Sequence, residues 1–327
     1  MVTTRGALVP PSLEEVRAAA QRLRGYIVRT PLIRLQGFGF PADIYLKLEN
    51  LQPGGSFKLR PALNALLAAK PESLASGIYT ASAGNMAFGL ARGAKMLGAR
   101  LRVFAPETTA PIKIERVRAE GAEVVLVPFD EWWSILTNHG CEGEEGLFIH
   151  PAAEQAVLAG DATVGLEIME DLADVDTIIA PFGAGGLSSG IAAAAKAMNP
   201  QVRVLACETT AATPLAASLA AAKPVNVDFR PDAFLLGIGG SGVLPEMWPL
   251  ASSLLDGAVC VDRSQVAEAV RIGFEATRTV MEGAGAASLA AAIAGQGGSG
   301  TVVAVISGGN IDLVNFVAAM HGENPGR

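Results

Sequence analysis

Lys47-Leu48-Glu49-Asn50-Leu51-Gln52-Pro53-Gly54-Gly55-Ser56-Phe57-Lys58-Leu59-Arg60 sets Lys58 between a Gly-Gly-Ser turn and a helix-forming run, Pro61–Ala69. Proline is tolerated in the first turn of a helix, where N–H groups lack intrahelical partners, and clashes with the preceding turn in the interior. The helix therefore starts within a few residues of Pro61, and Lys58 sits at or just ahead of its N-terminus. An ammonium there faces the positive end of the helix dipole, which favours the neutral amine. That is the form an imine-forming lysine needs. A lysine met at random is a solvated surface group; this one is set apart by its neighbours.

The rest of the chain bounds the possibilities. A length of 327 residues suits one large domain or two modest ones. With 50% hydrophobic and 17% charged residues the composition is that of a soluble globular protein, and a net charge of −7 leaves no electrostatic footprint for nucleic acid or an anionic membrane. Cys141, Cys207 and Cys260 are far apart, with no Cys-x-x-Cys spacing, which argues against a zinc ribbon or a disulfide framework and suits a reducing compartment. The start of the chain has no basic segment followed by an apolar one, so no signal peptide is indicated. The most apolar stretch, Gly283–Gly295, is too short for a membrane span of roughly 20 residues. A cytoplasmic protein without nucleic-acid or membrane partners is expected.

Ser12-Leu13-Glu14-Glu15 is a capping box that opens a helix running to about Arg24. Ile44, Leu46 and Leu48 alternate with polar residues as a strand does. From there β and α signals alternate. Ile78–Thr80 precedes a helix beginning near Asn85, Leu101–Ala105 a helix near Pro111–Ala119, and Val124–Val127 a helix near Asp130–Thr137. A second block has strands near Thr177–Ala180, Val202–Ala206, Val259–Val261 and Thr301–Ile306, with helices over Leu187–Met198 and Ser264–Val280. Alternation of this kind predicts α/β architecture: two lobes of parallel twisted sheet flanked by helices, with a ligand crevice beyond the carboxyl ends of the strands.

Gly183-Ala184-Gly185-Gly186-Leu187-Ser188-Ser189-Gly190 links a strand to an Ala-rich helix. Glycines let N–H groups converge on an anion, and the helix dipole adds to the attraction. It is neither a Walker loop nor a Gly-x-Gly-x-x-Gly dinucleotide turn. Gly186–Gly190 also matches Gly-x-Ser-x-Gly, the nucleophile elbow of serine hydrolases, with Ser188 as nucleophile. Such a hydrolase needs a later acid and histidine, and the only downstream histidine is His321. Ser82-Ala83-Gly84-Asn85 and Ser307-Gly308-Gly309-Asn310 each follow a strand; by themselves they are turns and helix caps.

Taken together, these segments resemble the fold-type II pyridoxal-phosphate enzymes, which are tryptophan synthase β-like in fold. Lys47–Arg60 is similar to their Lys-x-Glu-Asn-x-Gln-x-x-Gly-Ser-Phe-Lys-x-Arg signature. Leu59 is of the serine/threonine dehydratase and serine racemase branch, whereas the cysteine and threonine synthases usually carry Asp there. The resemblance implies a large cofactor-binding lobe from residues 1–50 and 148–327 and a small lobe from 51–147. It implies that Lys58 bonds pyridoxal 5′-phosphate and later moves protons at the substrate α-carbon. The other cofactor contacts would be Phe57, Asn85, Gly183, Ala184, Gly185, Gly186, Leu187, Gly237, Glu282 and Ser307, with Ser307 on the pyridine nitrogen. Ser82, Ala83, Gly84, Asn85, Met86 and Ser241 would meet the substrate.

The resemblance further implies β-elimination from a β-hydroxy-α-amino acid such as L-threonine or L-serine, giving a 2-oxo acid and ammonia, by a homodimer. The sequence stops soon after Asn310, so no C-terminal regulatory domain is expected. Departures are informative. Pro61 and Ala184 replace glycines. Ala83 stands where racemases of the family have a proton-donating serine, which disfavours racemisation. Met86 and Phe88 replace polar residues and, with Trp132 or Trp133, suit a bulkier or aromatic substrate side chain. Some relatives bind a divalent cation; Glu208 matches one ligand, but Pro214 stands where an aspartate would be, so no metal is expected.

Overall fold

The computed structural model describes residues 7–323 and 325–326. Among them are ten strands: β1 (Leu32–Arg34), β2 (Asp43–Lys47), β3 (Ile78–Ala81), β4 (Leu101–Pro106), β5 (Glu123–Val127), β6 (Leu147–Phe148), β7 (Thr177–Pro181), β8 (Arg203–Thr209), β9 (Ala258–Val261) and β10 (Thr301–Val305). They form a six-stranded sheet, ordered β1-β2-β10-β7-β8-β9, and a four-stranded sheet, ordered β5-β4-β3-β6. Only β1 with β2 is antiparallel. Parallel neighbours need a crossover, and the crossover helices cover the sheets; β3 and β7 are accordingly buried at every residue.

The expected elements form with small shifts at their ends. Ser12 caps the first helix, Leu13–Leu23, accepting from Glu15 N–H while the Glu15 carboxylate accepts from Ser12 N–H. The helix expected over Ser264–Val280 is Arg263–Thr277, because Arg278 turns left-handed at φ +58°. The longest of the elements with no counterpart in the sequence pattern is the 17-residue helix Gln155–Asp171. Its residues from Val157 to Met169 are all buried, so it shows no polar face to generate a helical periodicity. It packs against the helices Leu59–Ala68 and Gly186–Met198. Two glycines permit that approach. A Cβ on Gly160 would lie 2.6 Å from Pro61 Cα, and one on Gly165 would lie 2.7 Å from Ile191 O.

A buried charge network ties this helix to the signature segment. The Arg60 guanidinium, fully enclosed, bonds both Glu49 oxygens at 2.8 Å and Glu167 at 2.7 and 2.8 Å. Lys47, equally enclosed, donates to Glu167 at 2.6 Å and to Thr30 O at 2.8 Å. Thr30 Oγ1 and Gln52 Nε2 complete the shell of Glu49. Two cations and two carboxylates leave no net charge inside. Lys47, Glu49, Gln52 and Arg60, four of the nine fixed residues of the signature, thus hold the backbone on either side of Lys58.

Candidate active site

Lys58 is the N-cap of the helix Leu59–Ala68, where Pro61 occupies the first turn. Its Nζ donates to Pro151 O at 3.0 Å and stands 5.0 Å above the centre of the Phe57 ring. The position at the helix start is the one read from Pro61. The amine's pKa is lowered, and the cause is burial, opposed by the charge of Asp161. His150 shapes the turn that receives the amine: its Nδ1 accepts from Ala152 and Ala153 N–H at 3.0 and 2.6 Å. Those bonds leave the ring proton to Nε2. In the trio His139, His150 and Glu246, whose ligand-type atoms lie within 4.8 Å, His139 Nε2 and Glu246 Oε1 are hydrogen-bonded at 3.2 Å and the two imidazole rings stack.

Backbone bonds gather the loops around this lysine. Phe57 N–H donates to Ser307 O at 3.0 Å, and Gly309 N–H to Gly55 O at 2.8 Å. Asn310 Nδ2 reaches both Gly54 O (2.9 Å) and Asn85 Oδ1 (2.8 Å), and Asn85 Nδ2 donates to Glu282 Oε1 at 2.9 Å. Glu282 N–H in turn donates to Gly308 O. A Cβ at Gly285 would collide with Gly308, so glycine is required for the two loops to meet. Burial pushes the Glu282 carboxyl up to about 7, against the pull of Asn85, Lys113 and Arg116.

The glycine loop lies on the other side. Gly183 abuts the Gly237 carbonyl, where a Cβ would stand at 2.5 Å, and Gly185 takes φ +90°. Ala184 is exposed, so its methyl is accommodated outside the turn. Gly186 opens the helix Gly186–Met198, whose first N–H groups have no intrahelical acceptor. Leu187 is buried in the core beneath. Ser188 is fully buried within that helix and donates to Gly185 O at 3.3 Å. Enclosed there, it cannot serve as the exposed nucleophile of a hydrolase.

Ser82 is buried, with its N–H on Phe104 O; Ala83 and Gly84 follow at the rim. The small cavity beside them is lined by Ser82, Ala83, Thr109, Lys113 and Ile114. The apolar side pocket expected from Met86, Phe88 and the tryptophans does not assemble. Met86 is buried in the small-sheet core with Leu90 and Val103. Phe88 lies under the Arg116 guanidinium at 4.0 Å. Trp132 packs on the Tyr79–Phe104 cluster, and Trp133 stacks on Phe129. Ser241 is exposed, its carbonyl taken by Val227 N–H. Glu208 accepts from Leu215 and Ala216 N–H at 2.7 and 2.9 Å, which makes it the cap of the helix Pro214–Ala221. Pro214 is the first residue of that helix and needs no N–H there.

Sequence reasoning missed Asp161, His150, Thr109, Lys113 and Arg116. Thr109, Lys113 and Arg116 lie in or just before a helix that was read correctly, and only the fold turns them toward the loops.

The chain matches the pyridoxal-phosphate dependent enzyme family over residues 23–308 and belongs to it. It is 41% identical over 309 residues to an L-threonine ammonia-lyase of Geobacter sulfurreducens, covering 91% of this chain and 75% of that one. It is 30% identical over 319 residues to a serine racemase of Oryza sativa subsp. indica, covering 92% and 91%. The crystal structure of a T.th. threonine deaminase superposes with a TM-score of 0.84 at 33% identity, covering 93% of this chain and 99% of that one. The residues present fit the family's cofactor: a buried amine of lowered pKa, a cradle at Gly183, Gly185 and Gly186 that side chains would fill, and a helix N-terminus facing it.

Proposed function

We propose that this member of the pyridoxal-phosphate dependent enzyme family removes the β-hydroxyl of a β-hydroxy-α-amino acid such as L-threonine or L-serine, releasing a 2-oxo acid and ammonia. The observation that carries the reading is Lys58: a buried amine kept toward its neutral form, at the meeting point of the glycine loop, the Ser82–Asn85 turn and the Ser307–Asn310 turn. Lys58, Gly183–Leu187 and Ser307 would hold the cofactor, with Phe57, Asn85, Gly237 and Glu282 around it. When bound, pyridoxal phosphate supplies an electron sink for charge developing at the substrate α-carbon.

The chain's own residues do the rest. With the cofactor bound, Lys58 would take the α-proton, and burial biases its amine toward the neutral form that can do so. The Ser82 hydroxyl and the N–H groups of the turn around Gly84, at the start of the helix Asn85–Leu97, would bind the substrate carboxylate. Asn85, fixed by Glu282 and Asn310, sets the plane in which the reacting atoms lie. Ala83 offers no acid on the opposite face, which supports elimination over racemisation. The small lobe, 51–147, would close over the substrate; β6, which pairs with β3, ends one residue beyond that boundary. A homodimer in the cytoplasm is the expected working form, and three free cysteines suit that compartment.

The test is turnover of L-serine, L-threonine, 3-hydroxyaspartate and 3-phenylserine, with 2-oxo acid followed beside a Lys58→Ala control. Equal release of 2-oxo acid and ammonia, lost in the control, is expected. D-serine without 2-oxo acid would transfer the assignment to a racemase, and no product from any of the four would refute the elimination reading.

A further inference from the structure

Among the described residues Asp161 is the one buried carboxylate whose two oxygens both lack a hydrogen-bond partner. Its side chain is wholly enclosed, on the helix that the sequence pattern hid. Its Oδ2 lies against Gly186, where a Cβ would come within 2.8 Å, and its own Cβ packs at the Gly190 backbone, 3.0 Å from where a Cβ there would be. The carboxyl is therefore aimed at the first turn of the helix Gly186–Met198, behind the glycine loop.

No cation claims it. Lys58 Nζ is bonded to Pro151 O, and the Arg60 guanidinium is taken up by Glu49 and Glu167. Three other cations on the elements packed around it have partners of their own. Lys47 is held by Glu167, Arg22 on the first helix by Asn64, and Lys196 at the far end of the glycine-loop helix by Asp256. That helix presents only the hydroxyls of Ser188 and Ser189 in its first turns. Burial pushes the Asp161 carboxyl up to about 7, with Lys58 and Arg60 opposing and Glu49 adding to the rise. Below about pH 7 this enclosed carboxyl is protonated, and a protonated carboxyl has one O–H to give.

We propose that Asp161 is a neutral hydrogen-bond donor to the cofactor phosphate in the Gly183–Leu187 loop, and that its ionisation weakens cofactor retention. The inference rests on the pyridoxal-phosphate reading above. An acid facing an anion attracts it; two anions across the same gap repel. Bound phosphate postpones the ionisation of Asp161, and by linkage cofactor affinity falls as pH rises through neutrality, at most about tenfold for each pH unit of postponement. The loop and helix N-terminus supply N–H donors that are insensitive to pH, so among the protein groups facing the phosphate Asp161 is the one that ionises; the dependence that comes from Lys58 and from the phosphate itself is common to wild type and variants.

The experiment uses the holoenzyme and the variants Asp161→Asn and Asp161→Gln, which keep an N–H donor but cannot ionise. Phosphorus NMR of the bound cofactor and its dissociation constant, from equilibrium dialysis read by visible absorbance, are followed from about pH 6 to 9. In the wild type the resonance should shift with a midpoint at or above about 7, and the dissociation constant should weaken about tenfold across the range. In the variants, which keep Lys58 and the phosphate's own ionisation, the midpoint that belongs to Asp161 should vanish and the loss of affinity across the range should be about tenfold smaller than in the wild type. A wild type that shows no midpoint, or variants that titrate as it does, overturn the proposal. Should one variant fail to fold, the other carries the comparison. A protein that retains no phosphorus signal at any pH would refute the cofactor reading itself, a failure distinct from a bound signal that does not titrate.

Discussion

Glu49→Gln removes one charge from the interior while leaving side-chain volume almost unchanged. Glu49 is wholly buried and accepts from Thr30 Oγ1 (2.6 Å), Gln52 Nε2 (3.2 Å) and Arg60 Nε and Nη2 (2.8 Å each). The amide nitrogen of glutamine is a donor and would face one of these donors. The balance of charge also fails, because Lys47 and Arg60 are left with Glu167 alone and one positive charge stays uncompensated in the core. Breaking a buried pair from one side costs about 3–5 kcal/mol. Domains are stable by roughly 5–15 kcal/mol, so the variant still folds. At about 2–4 °C per kcal/mol for a chain of this class, Tm should drop by on the order of 10 °C. The assay is thermal unfolding with saturating cofactor in both proteins, since binding itself adds apparent stability. Arg34→Ala is the control: Arg34 meets Asp43 at 2.5 Å, but both are substantially exposed and screened by solvent, so the change in Tm should be small. A Glu49→Gln shift no larger than the control's would refute the view that the signature is chiefly a buried scaffold. The pH dependence gives a second check. Burial resists ionisation of Glu49, but Arg60 and Lys47 outweigh it and hold its pKa below the usual range. Its contribution is present above the ordinary glutamate value of about 4.3 and is lost as pH falls through the folded value. The variant should lack that acid limb.

Asp161→Asn should stabilise the cofactor-free protein. The folded carboxyl ionises near 7 against about 3.9 in the unfolded chain, so unfolding releases a proton between these values and stability falls as pH rises. The full effect, an upper bound on the order of 4 kcal/mol, is reached above about pH 7 and vanishes near pH 4; equal Tm gains at both ends would contradict it. Gly186→Ala should weaken cofactor binding by at least about tenfold, or 1.4 kcal/mol, because its methyl would stand 2.8 Å from Asp161 Oδ2. Gly98→Ala, at φ +66° with open space around it, should cost local backbone strain and leave cofactor affinity unchanged. Equal loss of affinity in both would show that the glycine loop has no special role.

The succession of strands and helices along the chain was legible because parallel sheets bury both faces and so leave short apolar runs punctuated by helices; the order of strands within each sheet was not. β4, read as Leu101–Ala105, is Leu101–Pro106, and β7, read as Thr177–Ala180, is Thr177–Pro181. Lys58 was legible for a local reason: Pro61 fixes where a helix begins, whatever the rest of the fold does. The reason given for its neutral amine was incomplete, since the dominant cause is burial by elements remote in sequence. Met86, Phe88 and Trp132 were misjudged through the same limit. Position after a loop tells where a residue sits along the chain. It does not tell which face of a helix meets the core, and Met86 faces Leu90 and Val103.

The helix Gln155–Asp171 shows why the most consequential residues escaped. Detecting a helix by pattern needs a polar side, and this one has none from Val157 to Met169. Its glycines, Gly160 and Gly165, weaken helix propensity, yet they are what let it press against Pro61 and Ile191. The same close packing encloses Glu167, which closes the charge network, and Asp161, which faces the glycine loop. A polar residue in so apolar a stretch is the signal that was available. Glu167 answers it by pairing with Arg60 and Lys47, at a cost the pairing offsets. Asp161 has no such answer within the chain, and a buried acid left unpaired is expensive enough to be lost unless something outside the chain completes it. Glu167 and Asp161, six residues apart on one helix, therefore differ in one readable property: whether their hydrogen bonds close inside the protein.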